Sequence, residues 1–399
     1  MEDIEQIKRN IEKYISSSEK YNKKKDNIDI EIKKIGGLSN LNYMGIIKDS
    51  SSNEILEHIF YRQYCSKFGC LSDSINHEQE SKIAQYLSEK NYGPKILFEE
   101  KDIFSISEFI INTQSLPREK YYDENIIEQL CTILNYFTTF SHICKYEINN
   151  DSIKLIQIDN NDNGRKIDLT KNQYEKIVND LYERAITSFQ NFYDKFTKKY
   201  SKEKNNKEYN DVELVKNYLE NFKKIFNDNF QYFQSKGFLV INHGDVFRDN
   251  ILYREKDEKI FLIDHEYFTL NLLGYDIAYY LVESFIKYDP ELQCEFNKLN
   301  FDNIFPIYEN FVYKFIESNK LILEKVEFGK EFLEIIKTKE YFIRLMNDVN
   351  LYLFIWTIGN INFENWETNA IKEFFFTHGI KRIEFYLLGK TAIEKMKQK

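Results

Sequence analysis

The sequence predicts an α+β protein in two lobes, a small strand-rich one followed by a larger, mostly helical one. Three observations carry this. At a soft prior of about 150 residues per domain, 399 residues correspond to two or three structural units. Strand-like alternation is concentrated between about Ile28 and Ile110, whereas helical spacing dominates from Asp123 onward. With only 13 Gly and 4 Pro, the chain has too few turn residues for an all-β architecture, so one modest sheet fits. The expected division is 1–27 as a helical extension, 28–115 as the small lobe and 116–399 as the large one.

Taken in order, Ile4, Ile7, Ile11, Tyr14 and Ile15 recur at helical spacing, and a solvated SSSEKYNKKK stretch follows. IDIEIKKI and YMGIIKD read as strands around the turn-like GGLSN, and HIFYRQY reads as a third. Asn76 to Lys90 reads as an amphipathic helix that ends before Gly93-Pro94. KILFEE and IFSISEFI alternate like two further strands, and the lobe ends near 111–122. Beyond it, IIEQLCTILNYFTTFSHI has helical spacing. Two long helices, about 171–197 and 211–236, flank the polar loop SKEKNNKEYND. FLVINHGDV and NILYREKDEKIFLID form a short β insert, and everything after Asp276 reads as helical, without internal repeats.

Composition narrows the function. Hydrophobic residues make up 42%, enough for a sizeable core, and the net charge of −9 argues against a general nucleic-acid binder. Met1 to Lys25 is charged throughout and lacks the apolar run of a signal peptide. Nowhere do 18 apolar residues run together, so no membrane insertion is expected. The five cysteines form no C-x-x-C pair and no metal-ligand spacing, which suits reduced structural thiols in a cytoplasmic protein.

The chemistry sits in one string. His243-Gly244-Asp245 is followed after four residues by Asn250, an H-x-D-x4-N pattern for which about 0.04 chance matches are expected. NILYR and KIFLID, joined by Glu255-Lys256-Asp257-Glu258, read as a hairpin. A turn between Lys256 and Asp257 sets Asn250 opposite Ile263, with Asp264 diagonal to it at about 7–8 Å. Phosphoryl transfer from a nucleotide needs such a set. Asp245 accepts or orients the proton of the attacking hydroxyl, and Asn250 and Asp264 supply hard oxygen ligands to Mg²⁺. The competing reading is a loop whose polar residues merely cap the strands.

HGDVFRDNIL with LIDHEYFTLNLLGYDIAYYLVES resembles the catalytic core of the choline/ethanolamine kinases. The resemblance runs from about residue 30 to the C-terminus and is weakest over 145–235. It implies a bilobal, protein-kinase-like fold that uses MgATP, with a nucleotide-binding small lobe and a catalytic, acceptor-binding large lobe. In Gly36-Gly37-Leu38-Ser39-Asn40, resembling the family's phosphate loop, Gly37, Ser39 and Asn40 become nucleotide contacts. Arg62 falls at the arginine that replaces the kinase lysine, Glu80 at its acidic partner, and Glu108 and Ile110 in a segment similar to the adenine-holding hinge. Phe140-Ser141-His142 is similar to a helix motif of the large lobe. Read physically, paired glycines let backbone N–H groups approach phosphates, and Arg62 adds a fork of donors. Alone, GGLSN reads better as a plain β-turn until the catalytic loop is considered, and a surface ion pair is the alternative for Arg62 with Glu80.

For the acceptor, the resemblance implies Glu283, Tyr288 and Trp356, a carboxylate and two aromatics suited to a quaternary ammonium, which cannot donate a hydrogen bond. Leu353 stands where the family has a second tryptophan and His378 where it has a final tyrosine, so choline and ethanolamine both remain open. From the residues alone, Glu283 is telling because it lies in the apolar AYYLVESFI, where an unpaired carboxylate is costly; a helix-surface carboxylate is the alternative. Trp356 alone reads as core packing. Asp276 reads as a helix N-cap that braces the catalytic loop, His243 and His265 as structural, and Glu266 as a residue orienting Asp264 or the waters on Mg²⁺.

The implied activity is ATP-dependent phosphorylation of choline to phosphocholine, the first step of phosphatidylcholine synthesis. Ethanolamine kinase is the alternative, as is another small-molecule kinase of the aminoglycoside phosphotransferase type. A catalytically silent relative is disfavoured because Asp245, Asn250 and Asp264 are all present, and a protein kinase because no H-R-D or D-F-G string occurs. Expected partners are ATP and choline or ethanolamine, without nucleic acid; a homodimer is left open.

Overall fold

The computed structural model describes residues 4–22, 27–35, 40–64, 77–148, 153–158, 207–288, 294–296, 301–326 and 329–359, with scattered positions in 183–198 and 383–397. The side chains of 144–158, 285–305 and 353–359 lie outside that description, as do a few others.

In chain order, helix α1 (Ile4–Ser17) precedes β1 (Ile28–Ile35), β2 (Leu41–Asp49) and β3 (Ile55–Gln63), then α2 (His77–Glu89), β4 (Ile96–Glu100), β5 (Phe104–Glu108) and the short β6 (Gln114–Ser115). Next come α3 (Glu124–Ile143), β7 (Cys144–Ile148), β8 (Ile153–Ile158), α4 (Lys207–Ser235), β9 (Leu239–Asn242), β10 (Ile251–Arg254), β11 (Lys259–Leu262) and β12 (Thr269–Leu272). Then follow α5 (Gly274–Phe285), β13 (Ile286–Tyr288), β14 (Cys294–Phe296), α6 (Phe301–Leu323), α7 (Gly329–Ile336) and α8 (Lys339–Gly359).

The chain divides into two compact units. The first comprises Met1–Leu116 and Asp249–Tyr267, the second Pro117–Arg248 and Phe268–Lys399. In the first, an antiparallel sheet runs in the order β1-β2-β3-β5-β4, and the β10–β11 hairpin takes β6 along its open edge. Period-two alternation explains the sheet's two roles. Ile59 and Tyr61 of β3 are fully buried in a core shared with Ile7, Ile11 and Tyr14 of α1, while Phe60 and Arg62, pointing the other way, line a cavity. The α1 face is tied down by polar bonds as well. Asn10 Nδ2 donates to the Tyr61 hydroxyl at 2.8 Å, and the hydroxyls of Tyr14 and Tyr21 both donate to Glu57.

The second unit is mainly helical. The antiparallel pair β9–β12 packs beside α3, where the Ile241 amide donates to Ser141 Oγ at 2.7 Å, and Phe226, Phe230 and Phe233 of α4 are buried. Three expectations change here. Helix α4 begins at Lys207, so the last residues of the polar run are helical; residues 201–206 lie outside the described ones. Of the helix expected over 171–197, the described positions from 183 onward are helical. The stretch after Asp276 is not wholly helical, because β13 pairs with β14, Ile286 opposite Phe296. No Gly or Pro separates α5 from β13, and cross-strand bonds over so short a pair leave no periodic trace in the sequence. The β7–β8 pair, Cys144 opposite Ile158, was likewise not expected.

Candidate active site

In the β10–β11 hairpin Ile251 pairs with Leu262 and Arg254 with Lys259, and the Ile263 amide donates to the Asn250 carbonyl at 3.0 Å. Asn250 is therefore opposite Ile263, the register the sequence predicts. Asp264 follows with φ of 65°, a left-handed conformation that costs a non-glycine residue on the order of 1 kcal/mol or more. That bend ends the strand and turns Asp264 into the cavity.

Arg62 meets Asp264 there. Its Nη2 donates to Asp264 Oδ1 at 3.0 Å and its Nη1 to Glu80 Oε1. The Arg62 side chain is 12% exposed and that of Glu80 9%, so a surface ion pair is ruled out. Burial pulls the guanidinium pKa down, but Glu80, Asp264 and Glu266 together outweigh it, and Arg62 is held firmly charged. Glu266, itself buried, accepts from Asn40 Nδ2 at 3.1 Å, which ties the residue after the glycine loop to the hairpin.

The cavity at this cluster has a volume of about 340 Å³. Phe60, Ile96, Phe109, Leu252 and Ile263 give it apolar walls, Glu108 and Ile110 lie along it, and Arg62, Glu80 and Asp264 close one end. An apolar slot ending in a guanidinium and carboxylates suits a flat, weakly polar ring carrying an anionic tail. The sequence reading missed these walls, although the alternation that puts Arg62 on one face of β3 also puts Phe60 there.

Among the described residues, no three His, Cys, Asp or Glu side chains are grouped to hold a metal ion. Mg²⁺ does not require such a cage, since it is commonly held by one or two protein oxygens together with substrate phosphates. The chemistry of the donors fits it. Asn250 and Asp264 carry hard oxygens on one hairpin, and the Arg62 guanidinium faces the carboxylates Glu80, Asp264 and Glu266.

In the second unit the His243–Asp245 loop hangs on Asp276. Its carboxylate accepts the His243 amide at 2.7 Å and the Gly244 amide at 2.9 Å. Gly244 has φ of 88°, which favours glycine there. The Asp245 amide donates to His243 Nδ1 at 3.2 Å, which places the imidazole proton on Nε2 and leaves the Asp245 carboxylate half-buried at the loop tip. Burial pushes Asp276 up to about 7 even though the two amides pull the other way. Asp276 braces the loop as expected but is not the N-cap, because α5 begins two residues earlier at Gly274.

Glu283 is buried, 7% exposed, near the end of α5, so the surface alternative fails for it. Tyr288 ends β13 and Trp356 lies in α8, but their side chains, like that of Leu353, are outside the described ones. Gly37, Ser39 and His378 also lie outside the described residues. The structure thus joins Arg62, Glu80, Asp264, Glu108 and Ile110 around one cavity, and Asn40 through Glu266. Asp245 and Glu283 belong to the second unit.

A strand-rich unit with an Arg–Glu pair and a helical unit with a braced H-G-D loop define a protein-kinase-like phosphotransferase. Choline kinase from Cryptosporidium parvum has the same fold, with a TM-score of 0.59 and 18% identity over 98% of this chain and 97% of that one. An ethanolamine kinase from Plasmodium vivax gives 0.46 and 16%, covering 91% of this chain and 83% of that chain. A choline kinase from Streptococcus pneumoniae gives 0.45 and 13%, covering 95% and 99%. Curated protein sequences give no match. Residues 31–387 match the choline/ethanolamine kinase family, and the chain belongs to that family. Membership of that family supports a kinase function. Among the described residues no helix is long and apolar enough to cross a membrane.

Proposed function

We propose that the chain transfers the terminal phosphoryl group of ATP to the hydroxyl of choline, giving phosphocholine, the first step of phosphatidylcholine synthesis. The observation that carries the nucleotide half is the apolar cavity closed by Arg62, Glu80 and Asp264. The adenine ring lies between the apolar walls with its edge toward Glu108 and Ile110, and Arg62 donates to phosphate oxygens. Gly37, Ser39 and Asn40 belong to the loop that covers the phosphates. Mg²⁺ held by Asn250 and Asp264 would spread the negative charge of the phosphates. Asp245 takes the proton of the attacking hydroxyl while Asp276, accepting from the His243 and Gly244 amides, holds the loop in place.

The amine half rests on Glu283, a buried carboxylate that offers a counter-charge, with Tyr288 and Trp356 as the aromatic partners. Leu353 favours a second reading. With an aromatic missing, the primary ammonium of ethanolamine, able to hydrogen-bond Glu283, becomes a competing substrate. The scattered thiols support a cytoplasmic location. A phosphate-transfer assay across choline, ethanolamine and an aminoglycoside, with and without Mg²⁺, tests the proposal. Mg²⁺-dependent transfer to choline is the expected outcome. Transfer only to ethanolamine moves the assignment to the sister activity, transfer only to the aminoglycoside overturns it, and nucleotide binding without any turnover indicates a silent relative.

A further inference from the structure

Asp348, on α8, is wholly buried, and its Oδ2 accepts the Gly274 amide at 2.7 Å. That amide is among the first of α5, which the helix itself leaves without a partner. A neighbouring helix thus caps α5. The approach is close: a Cβ on Gly274 would lie 2.6 Å from the Val349 nitrogen and 2.7 Å from Asp348 Oδ2, so only glycine admits it. One turn further along α8, the Tyr352 hydroxyl donates to Asn271 Oδ1, and its ring meets that of Tyr275 edge-on with centroids 5.1 Å apart. Asn229 Nδ2 lies 3.4 Å from the other Asp348 oxygen.

Two residues past Gly274, Asp276 holds the His243 and Gly244 amides. Asn271, gripped by Tyr352, sits in β12 opposite Val240 of β9, the strand that runs into His243. Both supports of the catalytic loop therefore lead back to one face of α8. Trp356 follows Tyr352 at the next four-residue step of the same helix.

We infer that Asp348 is a positioning residue for phosphoryl transfer, holding the His243–Asp245 loop in place through Gly274 and the first turn of α5. The inference rests on the reading of Asp245 as proton acceptor. A small displacement of that carboxylate is enough to slow transfer, while the nucleotide cavity, built in the other unit, keeps its affinity.

Full-length D348A, D348N and G274A test this, by amide hydrogen exchange over 239–246 and by steady-state kinetics with the better amine, at a temperature where circular dichroism shows each variant folded. In D348A, exchange over 239–246 accelerates about tenfold or more, kcat falls about 10- to 100-fold, and KM for ATP stays within about twofold. D348N, which keeps an acceptor for the Gly274 amide, returns both readouts to within about threefold of wild type. G274A, which drives α8 away, reproduces D348A. Unchanged exchange over 239–246 in folded D348A or G274A, or a kcat loss matched by a rise in KM for ATP, overturns the inference. Should D348A not fold, G274A and D348N decide it. Should the wild type phosphorylate neither amine, the functional reading fails while the exchange measurement still decides the coupling.

Discussion

Arg62 and Asp264, 202 positions apart in the sequence, meet at 3.0 Å, and the same guanidinium also binds Glu80. One cation thus organises two carboxylates from different elements. Removing one partner of a buried pair is costlier than removing both, because the remaining charge loses its compensation. Arg62→Ala is therefore expected to raise KM for ATP by about tenfold or more, and Arg62→Lys by less, since lysine keeps the charge but not the fork. A KM for ATP within twofold of wild type in Arg62→Ala would remove this cluster from nucleotide binding.

Asp245 should act on the acceptor and not on the nucleotide. Asp245→Asn is expected to lose about 10²-fold or more in turnover while MgATP binding, followed by calorimetry, is retained. Retention of more than about a tenth of wild-type activity is incompatible with a general base at this position.

Asn250 and Asp264 are expected to differ in their effect on the response to Mg²⁺. Both alanine variants should require more Mg²⁺ for half-maximal activity, with Asp264→Ala the more severe, because a carboxylate brings charge and an amide only a dipole. Identical Mg²⁺ titrations in wild type and both variants would place the metal elsewhere.

For the amine, Trp356→Ala is expected to raise KM for choline roughly 2- to 30-fold, matching the 0.5–2 kcal/mol of a cation over an aromatic face. Glu283→Gln should act in the same direction and leave KM for ATP unchanged. A Trp356→Ala variant with a lower Tm but unaltered KM for both amines would make Trp356 a core residue.

Burial pushes Asp348 up to about 8 and Asp276 up to about 7, against about 3.9 for an unfolded aspartate. The folded state holds these protons more tightly. The contribution is therefore fully present below about pH 4 and is lost as pH rises toward 7 for Asp276 and 8 for Asp348. Asp348→Asn mimics the protonated form, so wild-type Tm minus variant Tm should fall from pH 5 to about pH 8 and level off above it. A difference that stays constant or grows would contradict the buried, proton-retaining carboxyl.

The β10–β11 hairpin was legible because a polar turn between two alternating runs allows few registers, and counting outward from Lys256 and Asp257 sets Asn250 opposite Ile263. The Arg62–Glu80 pair was anticipated only through resemblance, since β3 and α2 carry no local sign that they meet. The pocket walls were not anticipated. Phe60, Ile96, Leu252 and Ile263 come from three stretches of chain, and each alone reads as an ordinary core residue.

The sequence by itself determined the order of α1, β1 to β5 and α2, the sides on which alternate residues of those strands face, the β10–β11 hairpin and the spacing of the H-x-D-x4-N string. These follow from periodicity and turn chemistry, which act over a few residues. Only the tertiary structure decided that Asp249–Tyr267 joins the first unit, that Glu283 is buried, and that Asp348 caps a helix 74 residues upstream. A buried carboxylate is set by whichever amide the packing of distant helices brings to it, and no local pattern in LMNDVNLYLF names that amide.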